Sequence, residues 1–80
     1  MSIYPNPSNQ YLIVEYQLEC ENSNNFIDIL DATSVKIYEL QLHSSHSQVV
    51  IPVNNLKTSL YLVRLIVDNQ VIESKKVTVL

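Results

Sequence analysis

Two histidines three positions apart, His43 and His46, sit among Ser44, Ser45 and Ser47 and are the first residues to test for chemistry. A metal ion held by two histidines needs further ligands from elsewhere in the chain. The spacing supplies none, so solvated side chains in a serine-rich turn are the expected state. A serine nucleophile beside a histidine would need an orienting third group and oxyanion donors, which a turn does not organise. The carboxylates Glu15, Glu19, Glu21, Asp28, Asp31, Glu39, Asp68 and Glu73 are scattered about one to a strand or turn. Glycoside hydrolysis needs two of them converging in a cleft. Asp28 interrupts the apolar run "FIDIL" and is expected at an outward position on a half-exposed strand. The five tyrosines would suit a sugar-stacking platform, or core and rim positions with the hydroxyl at the surface. A glycine-rich phosphate loop is excluded, because the chain has no glycine. No catalytic residues, no metal and no cofactor are expected, and the chain reads as a non-enzyme.

The elements that carry these residues are strands. Apolar residues recur with a period close to two, as in "YLIVEYQL" at 11–18, where Leu12, Val14, Tyr16 and Leu18 alternate with Tyr11, Ile13, Glu15 and Gln17. Similar runs lie at 25–30, 35–40, 48–53, 60–67 and 71–80, with a short strand at 2–4. Asn, Ser, Asp and Pro clusters separate them. Strands this short at this spacing predict an all-β fold, an Ig-like antiparallel β-sandwich of about seven strands. "DNQ" at 68–70 is the tightest connection, so the last two strands should form a hairpin. In "IYPNPSN", two prolines push Tyr4 and Asn6 toward extended conformations. That predicts a stiff edge segment running into a turn at Ser8 and Asn9. Two open sheet edges are expected, and with them self-association of the isolated domain.

Eighty residues make one small domain, 1–80, which buries only about 60–65 % of its unfolded surface. A net charge of −3 with five Lys and Arg argues against a nucleic-acid or anionic-membrane partner. Cys20, the single cysteine, has no partner for an internal disulfide. The apolar stretch "LYLVRLIV" is too short to span a bilayer and contains Arg64. Met1 and Ser2 lead directly into structure, so no signal peptide is expected. If the protein is exported, either its export signal was on a longer parent chain or this chain is a cloned fragment.

Three segments in order, "IYPNPSN", "IDILDATSVKIYE" and "NLKTSLYLVRL", with "KKVTVL" at the close, resemble the C-terminal sorting domain of the type IX (Por) secretion system. The likeness covers essentially the whole chain. Its matching residues are Tyr4, Pro5, Asn6, Pro7, Asp31, Asn55, Leu56, Tyr61, Lys75 and Lys76. The resemblance implies a non-catalytic, Ig-like address domain behind an N-terminal cargo. It also implies an outer-membrane translocon and a cell-surface sortase as partners, and a route through the periplasm to the surface or medium. It implies glycine where this chain has Gln10, Ser34 and Ser59; a serine in a left-handed turn costs on the order of 1 kcal/mol. A carbohydrate-binding or adhesive β-sandwich is the alternative, because such modules share the architecture.

Overall fold

The computed structural model describes residues 1–17, 24–42 and 46–80, with the backbone alone at 46 and 47. Cys20, Glu19, Glu21, His43, Ser44 and Ser45, and the side chains of His46 and Ser47, lie outside the described residues, so the readings placed on them stay as expectations.

Seven strands follow one another: β1 (Ser2–Tyr4), β2 (Tyr11–Gln17), β3 (Asn25–Leu30), β4 (Lys36–Leu42), β5 (His46–Pro52), β6 (Ser59–Val67) and β7 (Gln70–Val79). They form two antiparallel sheets, one ordered β1-β2-β5 and the other β4-β3-β6-β7. This is the predicted Ig-like sandwich, with strand bounds within about two residues of the predicted ones. Alternation explains the core. Leu12, Val14 and Tyr16 of β2, Ile27 and Ile29 of β3, Tyr61, Val63 and Leu65 of β6, and Val77 and Val79 of β7 are buried together with Ile51 and Val53. Burying each Val, Leu or Ile stabilises by roughly 1.5–3 kcal/mol. A one-residue slip of any strand would turn its whole apolar row to water, so this face sets the register.

The hairpin of β6 and β7 closes on Asp68 and Asn69, with Val67 opposite Gln70. Both turn residues have positive φ, 50° and 68°, the pairing that matches strand twist in a two-residue loop. With no glycine available, Asp and Asn are the residues that tolerate it best. The β3–β4 connection is a turn in which the Ser34 N–H donates to the Asp31 carbonyl at 3.0 Å. Ser34 follows at φ 69°, which is the left-handed position foreseen for a missing glycine. Gln10 and Ser59 are not in the left-handed region, so there the absence of glycine carries no such cost.

Two expectations are corrected. Residues 5–7 are not an extended segment but a bend, with cis bonds at Tyr4–Pro5 and Asn6–Pro7. Tyr4 itself is extended in β1, and Asn6 and Ser8 beyond it hydrogen-bond to β7. Asp28 does point outward from its sheet, but it is fully buried, at 0 % exposure. β3 is an inner strand, and side chains from β4 and β6 close over the carboxylate.

Candidate functional site

β1, β3 and β5 end, and β2, β4 and β6 begin, at the pole where β7 also ends. Three loops meet there: 5–10, 31–35 and 53–58. Nine of the ten residues picked out by resemblance lie on these loops or at the strand ends beside them, and Lys75 lies one position further along β7.

The first loop clasps the last strand. Asn6 Nδ2 donates to the Lys76 carbonyl at 3.3 Å, and the Thr78 N–H donates to Asn6 Oδ1 at 3.0 Å. One amide thus satisfies a backbone acceptor and a backbone donor two residues apart. Ser8 continues the pattern: its N–H donates to the Thr78 carbonyl at 2.9 Å, and its carbonyl accepts the Leu80 N–H at 2.8 Å. Ser8 is buried and lies parallel to Val79, while its hydroxyl donates to the Tyr11 carbonyl. Residues 6–8 therefore occupy the outer edge of β7 from 76 to 80, where a sheet would place another strand. From the sequence Ser8 is expected only as a turn residue and Thr78 carries no expectation, and nothing local to either residue reveals their pairing. Tyr4, just before the clasp, donates its hydroxyl to the Glu15 carboxylate, which holds the phenol proton and raises its pKa.

The second loop is built on Asp31. Its Oδ1 accepts from the Thr33 hydroxyl at 2.7 Å and from the N–H groups of Thr33 and Val35 at 2.9 and 3.0 Å. The Thr33 hydroxyl first, and then the backbone donors, hold the carboxyl below its ordinary pKa. The carboxylate is committed to the turn, and what it offers chemically is shape.

The third loop is closed by Tyr61, which is 6 % exposed and donates its hydroxyl to the Lys57 carbonyl four residues upstream at 2.7 Å. This is the tyrosine corner of Ig-like sandwiches, and it fixes the loop to the start of β6. Between the second and third loops lies an open recess of about 450 Å³, lined by Asp31, Thr33, Ile37, Leu56, Lys57 and Tyr61 among others. A neighbouring recess of about 300 Å³ shares Ile37, Asn55 and Leu56 and reaches the core residues Ile29 and Ile51. Asp31, Asn55, Leu56 and Tyr61 are thus gathered around one concavity.

Lys75 and Lys76 do not form one basic patch. Successive residues of a strand face opposite sides. Lys75 lies on the side of Val77 and Val79, and Lys76 on the side of Thr78, both exposed.

The strongest electrostatic feature lies beyond the pole, on the outer face of the four-stranded sheet. Asp28 and Arg64 are register partners on β3 and β6. Arg64 Nε donates to Asp28 Oδ1 at 2.8 Å and Arg64 Nη2 to Oδ2 at 2.6 Å, a two-pronged contact. Its bond to Asp28 raises the Arg64 pKa further. Lys36 Nζ stands 3.9 Å from Asp28 and 3.5 Å from Glu39. Sequence inspection met both charges, each alone in an apolar strand, without pairing them. Among the described residues, no group of three or more His, Cys, Asp and Glu could hold a metal ion.

A family model described as a secretion system C-terminal sorting domain matches residues 2–79. No curated protein matches the chain.

Proposed function

The chain belongs to the secretion-system C-terminal sorting domain family, and from that membership we propose that it is a non-catalytic address. In this reading it directs an N-terminal cargo through the type IX outer-membrane translocon, by way of the periplasm, to the cell surface or medium. A surface sortase would then act on the upstream linker. The observation that carries the reading is the clasp, in which Asn6 and Ser8 hold residues 76–80 of the last strand. A machine that inspects folded cargo would meet the opening loop and the last strand as one surface. An address of this kind would work by shape and hydrogen bonding, with Lys76 supplying charge on one side.

The test is export of a folded reporter fused ahead of residues 1–80 in a type IX-competent bacterium. It would run beside versions that lack residues 75–80 or carry Asn6→Ala. The full fusion should reach the surface or medium, and the truncation should stay in the periplasm. Asn6→Ala loses two partly solvated hydrogen bonds, about 1 kcal/mol together, and should export poorly below its melting temperature. Normal export of the truncation would sink the proposal.

A second reading rests on Tyr4 and Tyr11, which are 40 % and 45 % exposed. They lie on the same outer face of the three-stranded sheet, with Ile13 opposite Tyr4 and Pro52 opposite Tyr11. That is an aromatic surface of the kind a carbohydrate-binding or adhesive module uses. Saturable glycan binding by the domain, lost on Tyr11→Ala, would favour it.

A further inference from the structure

The four strand edges of the sandwich are guarded to very different degrees. β1 is three residues long. β7 is covered from 76 to 80 by residues 6–8. On β5, the Val53 N–H donates to the Gln10 carbonyl at 2.9 Å. Odd-numbered residues there face β2, and Pro52, Val50 and Gln48 face out. Pro52 has no N–H to offer, which is a common protection of an edge.

β4 has seven residues and, among the described residues, no comparable cover. The Asp68 N–H donates to the Asn24 carbonyl at 2.8 Å, which turns Asn24 toward β6 and Asn25, Ile27 and Ile29 toward β4. Their partners Leu42, Leu40 and Tyr38 therefore face β3. Glu39 and Gln41 hold their backbone N–H and C=O groups out to the open side.

We propose that β4 pairs antiparallel with β4 of a second copy of this chain, across a two-fold axis at Leu40. In that register Leu40 meets Leu40 of the second copy, and Tyr38 meets Leu42. Glu39 and Gln41 form two hydrogen-bonded pairs, one on each side of the axis, giving four backbone bonds. Tyr38 and Leu40, half-buried in one copy, are drawn further from water. On the outer face the Glu39 carboxylate lies opposite a Gln41 amide that can donate to it. Neighbouring registers are worse. One sets Glu39 opposite Glu39, a like-charge pair. That register also pairs Ile37, the extra residue at the break in the β3–β4 ladder, with Gln41. The other sets Gln41 opposite Gln41 and carries Glu39 past the end of β4 at Leu42.

The test is sedimentation equilibrium of residues 1–80 over a wide concentration range, with far-UV circular dichroism to verify folding. The wild type should show a reversible monomer–dimer equilibrium. Gln41→Glu sets a second carboxylate opposite Glu39 at both pairs and should weaken the dimer by roughly two- to thirtyfold. Adding Glu39→Lys to that variant makes both pairs attractive and should restore it. A wild type monomeric at every concentration would overturn the proposal. So would a dimer indifferent to Gln41→Glu, which would place the contact on another edge or face. No secretion component takes part, so either result is independent of the export reading.

Discussion

Removing the Arg64 side chain should damage the fold more than removing the charge it pairs with. Asp28 is fully buried, while the Arg64 side chain keeps 26 % of its surface in water. In Arg64→Met the carboxylate loses two short charge-assisted bonds and keeps Lys36, 3.9 Å away, as its nearest cation. Breaking a buried pair from one side costs about 3–5 kcal/mol. The surviving lysine sets the expectation near the lower end, about 3 kcal/mol. For a chain of this length total stability is roughly 4–12 kcal/mol, so the loss is a large share of it. The melting temperature should fall by roughly 12–24 °C. Asp28→Asn leaves Arg64 free to swing into solvent and should cost only about 1–2 kcal/mol. The double variant Asp28→Leu/Arg64→Met removes both charges and should recover most of the loss. With no tryptophan in the chain, urea unfolding would be followed by circular dichroism or tyrosine fluorescence, and Asp28→Leu alone completes the double-mutant cycle. Arg64→Met within about 1 kcal/mol of wild type, or a coupling near zero, would refute the reasoning.

Three further outcomes are expected. Ser34→Gly relieves a side chain held at φ 69° and should stabilise by about 0.5–1 kcal/mol in urea unfolding, whereas Gln10→Gly and Ser59→Gly should not. Tyr61→Phe keeps the ring and loses the 2.7 Å bond to Lys57, so it should cost about 1 kcal/mol and speed proteolysis within 53–58. The lowered pKa of Asp31 gives stability that is fully present above the unfolded carboxyl value, about 3.9, and lost as pH falls through the lower folded value. Thermal scans at stepped pH should show this acid loss in the wild type and less of it in Asp31→Asn; superimposable profiles would contradict it.

The strands were legible because their cause is local. A period of two in Leu12, Val14 and Tyr16, or in Tyr61, Val63 and Leu65, states which side faces the core, and turn residues mark where each run stops. Ser34 was legible for a similar reason, since a left-handed turn leaves its mark on the residue that must adopt it. Asp28 was legible only by half. Alternation gives its face, but burial on that face depends on Arg64 and Lys36, brought beside it by pairings across 36 and eight positions. Two opposite charges, each alone in an apolar strand, are the available hint of such a pair, because either one unpartnered would be costly.

The clasp is the harder case, and it bears on how this domain tolerates change. Asn6 is read locally as a residue between two prolines, yet its amide is spent on backbone groups 70 and 72 positions away. Backbone groups carry no side-chain signature, so nothing in "KKVTVL" points back to "YPNPSN". Once joined, however, the two ends answer to one constraint. Residues 6–8 fit only against a strand whose 76, 78 and 80 backbone groups face outward. An insertion of one residue in β7 before Lys76 would turn those groups inward and release the loop. An insertion of two would keep the parity and slide the strand past Asn6 by one repeat. Substitutions at the exposed side chains of Lys75 or Lys76 alter neither relation. A one-residue insertion should therefore undo the first loop as thoroughly as losing Asn6 and Ser8 together. Lysine replacements should leave the fold intact and test recognition alone.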